Sequence, residues 1–143
     1  AAFDLLTTDS LEKSKKLIRE FLEINKLRRA KIDAMVAMIE KRINPADPII
    51  FEGNAGWESN LLGTITSILS LKYQKPAFLY KQLKTESQGT VRSIEGIDSV
   101  MLMKKCKDLL ITFGGHPKAS GFRVKNENLQ KFKQCLVENL DKL

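Results

Sequence analysis

Neither glycine nor proline interrupts residues 10–43, and Pro45 is the first residue that would stop a helix there. Asp9 is placed as an N-cap, with Glu12 three residues on at the spacing of a capping box. Ile18, Leu22, Ile32, Val36, Ile39 and Ile43 recur with helical period. Asn25 and Arg29 fall on the same line, where polar groups need partners. These 34 residues predict one helix, about 50 Å long. The remainder of the chain folds to a radius of gyration of only about 13 Å. A body of that size does not cover such a helix. Its outer part is therefore expected to pack on protein outside this sequence, as an arm joining two domains. The chain starts with alanine rather than methionine, as expected of a piece excised from a longer protein. The boundary is drawn at Pro45, giving a helical linker over 1–45 and a domain over 46–143.

The second part alternates short apolar runs with helical patterns. Ile49 to Glu52 reads as a strand, Gly53 to Gly56 as a turn, and Leu61 to Tyr73 as a helix ended by Gln74-Lys75-Pro76. Ala77 to Tyr80 is a short buried strand. Residues 81–89 are polar and read as a flexible loop. Thr90 to Ile94 alternates as a strand, with Arg92 facing away from Val91. Asp98 caps a helix running to Cys106 or Lys107. Leu109 to Phe113 and Gly121 to Val124 are strands. Asn126 caps a last helix whose apolar face is Leu129, Phe132, Leu136, Val137 and Leu140. The order β, α, β, β, α, β, β, α predicts an α/β (α+β) fold: a small mixed sheet of about five strands flanked by helices, preceded by one long linker helix.

Charge and composition narrow the chemistry. The net charge is +7 and the pI about 9.5, a lean toward polyanions. Aromatic residues are 7% of the chain, too few for a surface that stacks many bases. No apolar run approaches the length of a membrane span, and no signal-peptide pattern opens the chain. Cys106 and Cys135 match no metal knuckle and are read as buried or half-buried thiols of a cytoplasmic protein. A single histidine excludes a centre built on several histidines, and no acidic cluster, Walker loop or dinucleotide fingerprint is present. The chain reads as a binder rather than a self-sufficient enzyme, with no metal site of its own.

The stretch from Gly114 to Phe122 (Gly-Gly-His-Pro-Lys-Ala-Ser-Gly-Phe) holds three of the eight glycines and the one histidine. Glycines allow close backbone approach and positive φ, successive amides can make an anion nest, and Pro117 holds His116 extended. Gly114, Gly115 and His116 are candidate phosphate contacts; a plain tight turn is the alternative. A Ser–His–Asp system on His116 stays formally open, with Ser120 in the same loop. Arg92 with Ser93 is the second candidate, a guanidinium able to grip a phosphate bidentately, against an ordinary surface salt bridge. Trp57 is assigned to the core rather than to a base stack. The lysines at 104–105 and 131–133 read as solvated helix faces.

Taken together and in order, several segments resemble the DHH-associated domain of RecJ-type single-strand-specific exonucleases. They are Gly56-Trp57, Gly63-Thr64-Ile65-Thr66-Ser67, Lys75-Pro76, Gly89-Thr90-Val91-Arg92-Ser93-Ile94, Phe113-Gly114-Gly115-His116-Pro117 and Ala119-Ser120-Gly121-Phe122. Leu5-Leu6-Thr7, Asn25 and Arg28-Arg29 are similar to that family's interdomain helix. The resemblance implies a parent that hydrolyses single-stranded DNA from the 5′ end, in DNA repair and recombination. Manganese or magnesium would sit in a separate DHH domain absent here. This part would close the cleft and bind the nucleic-acid backbone through Arg92, Ser93, Gly114, Gly115 and His116. Alone it should be inactive. Single-stranded DNA and the missing DHH domain are the implied partners. Glu58 and Asn60 depart from the family's His and Gly after the tryptophan, which removes that turn from the expected DNA contacts. An oligoribonuclease or cyclic-dinucleotide phosphodiesterase shares the glycine stretch, and an RNA-binding appendage of a tRNA synthetase is the non-enzymatic alternative.

Overall fold

The computed structural model describes residues 2–142, with side chains from Asp9 onward. Leu5-Leu6-Thr7 thus lie outside the described side chains. Helix α1 spans Ala2–Glu40. Asp9 is therefore not a cap but an interior residue: Ala2, Leu5 and Leu6 are strong helix formers, and nothing before Asp9 interrupts them. The helix also stops three residues short of Ile43. Past Glu40 the chain tightens, with Arg42 N donating to Ile39 O at 2.8 Å, and the side chain of Asn44 then accepts from the amide of Ala46 at 3.0 Å.

Two compact units follow, Ala1–Met35 and Val36–Leu143. The first is helical throughout its described part. Leu17, Ile18, Phe21, Leu22, Ile24 and Leu27 on it are 58–64% exposed. Arg29, on the apolar line, finds Asp33 one turn on at 3.4 Å. The last turn of α1 belongs to the second unit. Ile39 is fully buried there, and Glu40 accepts from Lys72 Nζ at 2.7 Å and Tyr73 Oη at 2.5 Å. These two donors, Lys72 first, hold the Glu40 carboxyl below its ordinary range.

The second unit is a five-stranded mixed sheet. Its strands are β1 Ile50–Asn54, β2 Ala77–Gln82, β3 Glu86–Arg92, β4 Leu110–His116 and β5 Ala119–Lys125, in the order β1-β2-β3-β5-β4. β1 and β2 are parallel, as a crossover through helix α2 (Ser59–Tyr73) requires; every other pair is antiparallel. The alternation of strands and helices is the one expected from sequence.

Opposed residues share a face, so the register sorts the two sides of the sheet. Phe51, Phe78, Val91, Phe122 and Val124 fall on one side, against α3 (Ser99–Lys104) and α4 (Leu129–Leu140). Phe132 of α4 meets the rings of Phe51, Phe78 and Phe122 edge-on at 5.8, 6.2 and 5.0 Å. Leu129 and Leu136 are buried beside it, with Val137 and Leu140 packed at the rim, the face read from the 3.6-residue period. α2 packs on β2 and β3 from the other side.

Three local expectations fail. Residues 81–89 are not a flexible loop: β2 and β3 run into a short turn closed by Leu83 N to Glu86 O at 2.8 Å. Their polarity reflects strand ends with a wet face, not loss of structure. Asn126 does not cap α4. It begins a 3-10 turn that precedes the helix, and its side chain donates to Leu83 O and accepts from Ser87 Oγ, tying down the β2–β3 turn. Cys106 and Cys135 are buried and half-buried as expected, but they are not thiols: they form a disulfide joining the end of α3 to α4, with Cα atoms 6.0 Å apart. Residues 29 apart in sequence carry no pairing signal until the helices stack. Asp98 does cap α3, accepting from the amides of Val100 and Met101.

Candidate functional site

The stretch around His116 is a β-hairpin rather than a loop. β4 continues through Gly114 and Gly115 to His116, Pro117 and Lys118 turn, and β5 begins at Ala119. Gly114 opposes Gly121, Gly115 opposes Ser120, and His116 opposes Ala119. The free run of amides expected of a nest is thus replaced by a ladder, which satisfies the backbone groups facing β5. β4 is an edge strand, so its alternate backbone groups point outward.

Gly115 carries the backbone cost of this hairpin. Its φ is +134°, and a Cβ there would lie 2.7 Å from Ala119 O and Ser120 Cα. Gly114 is different: its φ is not positive, and nothing lies within 4 Å of the Cβ it lacks. No feature of the fold requires a glycine at 114. Glycine in a strand weakens it, and often marks close approach of a ligand.

The start of α3 holds the turn from the core side. Ser99 donates its amide (2.9 Å) and hydroxyl (2.8 Å) to Pro117 O, and its Oγ lies 2.7 Å from Ser120 Oγ. Ser93 donates its amide to Lys118 O and its hydroxyl to Ile97 O at 2.7 Å, so its side chain offers a ligand only lone pairs. Lys118 pairs with Glu95 at 2.5 Å and draws that carboxyl below its ordinary range. Ser120 is buried against Ser99, and its neighbour Ala119 shares a face with His116. Ser120 and His116 therefore lie on opposite sides of the sheet, which removes a Ser–His pair.

Arg92 and His116 lie on the same side. Ala77, Arg92, Ala119 and His116 form one cross-strand row, and Leu79, Thr90, Gly121 and Gly114 the next. α2 covers the β2 end of these rows, while Gly114 and His116 are exposed at the β4 end. Arg92 stands where the cover stops, half-buried. Its Nη1 donates to Thr90 Oγ1 at 3.0 Å and Val91 O at 2.9 Å. A Cβ on Gly63 of α2 would lie 3.2 Å from its Nη2. Among the described residues no carboxylate pairs with Arg92, so the ordinary salt bridge is absent. The result is a shallow trough: a floor of Ala119, Gly121 and Gly114, with a fixed guanidinium on one bank and an imidazole on the other. A half-buried cation without a counter-charge, beside a floor too small to obstruct, suits an oxygen-rich anion.

Sequence reasoning singled out Arg92, Gly114 and His116, which the sheet register brings to one face, but missed Thr90, which orients the guanidinium, and the floor residues Ala119 and Gly121. Their signal was the alternation on β5, small residues at 119 and 121 between core-facing Ser120 and Phe122. Trp57 is buried, in line with its core assignment. Among the described residues no group of His, Cys, Asp and Glu side chains is arranged to hold a metal. No helix among them is long and apolar enough to cross a membrane.

The model of the DHHA1 domain family matches residues 36–142. The single-stranded-DNA-specific exonuclease RecJ of Bacillus subtilis is 29% identical over 143 residues, covering 96% of this chain and 18% of its own length. RecJ of Thermus thermophilus is 29% identical over 132 residues, covering 92% of this chain and 19% of its own length. The chain therefore spans under a fifth of the length of these curated relatives. A crystal structure of exonuclease RecJ bound to manganese superposes with a TM-score of 0.76 at 25% identity, over 90% of this chain and 32% of that one. The crystal structure of the Thermus thermophilus RecJ in complex with Mg2+ gives 0.76 at 25% identity, over 87% of this chain and 20% of that one. The C-Ala domain of Aquifex aeolicus alanyl-tRNA synthetase shares the fold alone, with a TM-score of 0.50 at 12% identity over 62% of this chain and 90% of that one.

Proposed function

Because the chain belongs to the DHHA1 domain family and is homologous to RecJ exonucleases, we propose that it is the strand-gripping part of a 5′–3′ exonuclease acting on single-stranded DNA in repair and recombination. The observation that carries this reading is Arg92, half-buried, unpaired with any acid among the described residues, and on one face with His116. Arg92 and His116 hold backbone phosphate from the two banks of the trough. Gly114 lets the strand lie against the sheet, and Gly115 shapes the hairpin that presents His116. Ser93 locks the Pro117–Lys118 turn; with its hydroxyl proton given to Ile97 O it acts on the strand by holding that turn, not by donating to phosphate.

Hydrolysis belongs to a DHH domain outside these 143 residues. The manganese or magnesium of that reaction finds no ligand group among this chain's described residues, so no step here runs through it. What this domain supplies is position: it closes over the cleft and fixes the strand so that the scissile bond meets the reacting groups, and fixed geometry is a large part of a rate enhancement. Of the linker expected over 1–45, the part that serves as the arm to that domain is the first unit, Ala1–Met35, and the exposed Leu17, Phe21 and Ile24 are its docking side chains.

The experiment is single-strand binding by the 143-residue chain at low salt. Arg92→Ala is expected to weaken it about 10- to 100-fold, the range for a charge-assisted contact. Lys131→Ala, on the exposed side of α4, should leave it unchanged. Equal losses from the two substitutions would put the site elsewhere. The chain alone is expected to release no nucleotide in the presence of manganese, and release would refute the division of labour.

A further inference from the structure

The trough does not end at Gly114 and Gly121. Along the same face the next row is Lys81, Gln88, Arg123 and Thr112, crossing β2, β3, β5 and β4. It carries two cations and no acid. Four residues of strand separate it from the row of Arg92 and His116, about 13 Å. The floor between them is Thr90, Gly121 and Gly114, and no bulky side chain stands in the way.

Two local devices shape this far end. Glu86, one row further on, accepts from Arg123 Nε at 3.1 Å and Nη2 at 2.9 Å. Both carboxylate oxygens are engaged, and the guanidinium is held flat with Nη1 unengaged. At the β4 edge the ladder slips between Leu110 and Thr112, leaving Ile111 as an extra, unpaired residue that is 41% exposed. Bulges of this kind re-aim a side chain. Ile111 lines the same open hollow as Arg123, Lys125, Thr85 and the two acids Glu86 and Glu127. An oriented guanidinium beside an exposed aliphatic side chain matches the two halves of a nucleotide, phosphate and base.

We infer that this row is a second contact for the same strand, with Arg123 on a phosphate and Ile111 under a base. It rests on the reading of Arg92 and His116 as the first contact. A dinucleotide held at the first contact is too short to reach Arg123, whereas a strand of several nucleotides spans both. The second row therefore selects polymer over small nucleotide.

The test measures binding of oligodeoxythymidylates of two, four and eight nucleotides to the 143-residue chain by competition, across a salt series. Arg123→Ala should weaken the octamer about five- to tenfold and lower the magnitude of its log–log salt slope by about 0.7, one phosphate of a single strand. The dinucleotide should be unaffected. Arg123→Lys, which keeps the charge, should restore the slope. Arg92→Ala should weaken every length. If Arg123→Ala matches wild type at all lengths while Arg92→Ala weakens binding, the second contact is refuted and the first stands. An equal loss at two and eight nucleotides also refutes it, as a general charge effect. If Arg92→Ala changes nothing at any length, the first contact itself fails.

Discussion

Gly115→Ala is expected to destabilise the folded chain by about 3–5 kcal/mol, while the neighbouring Gly114→Ala leaves stability unchanged or slightly raised. At Gly115 two costs add. The backbone sits at φ +134°, which a side chain rarely tolerates, and the new Cβ would be 2.7 Å from two backbone atoms of β5 that have no rotamer to escape into. Strain of the first kind costs about 1–3 kcal/mol, and overpacking of the second kind about as much again. At Gly114 neither cost applies, and restricting the unfolded chain gains about 0.5 kcal/mol. The functional expectation runs the other way: Gly114→Ala puts a methyl on the trough and should weaken oligonucleotide binding several-fold in a protein that melts normally. Urea melts of the two variants, with binding measured on Gly114→Ala, check both halves. Coincident melts would mean that the hairpin register is wrong.

Reduction of the Cys106–Cys135 bridge is expected to lower stability by about 3–4 kcal/mol, from the unfolded-chain freedom that a loop of this length regains. For a unit of this size that is a fall in melting temperature of about 10 °C or more. The bridge ties α3 to α4, and α3 at its other end pins the His116 hairpin through Ser99. Loss of the staple should therefore also loosen the trough, seen as faster amide exchange in residues 114–121. Melts with and without a phosphine reductant, beside the Cys106→Ser, Cys135→Ser double variant, decide this. Identical melts, with two free thiols titrated before reduction, would show that the bridge is absent.

Much of the architecture was legible from local pattern. The helix of α1, the order of strands and helices, the Asp98 cap and the apolar face of α4 each express a period or a short-range hydrogen bond, and these act within one or two turns of chain. What failed was nonlocal. Residues 81–89 looked like loop because polarity was all they displayed, yet β2 and β3 complete each other's ladder. Asn126 looked like a cap because helix starts favour it, yet Leu83 and Ser87 claim its side chain from across the fold.

The candidate site divides in the same way. Residue chemistry alone singled out Arg92, Gly114 and His116, since a lone histidine, a strand arginine and paired glycines are unusual wherever they occur. That Arg92 and His116 face the same side, while Ser120 faces the other, was decided only when β5 was inserted between β3 and β4. A strand's alternation says that neighbours point apart. Which residues of distant strands point together depends on register, and register is set by the packing of Phe122 and Val124 into a core assembled from the whole second unit.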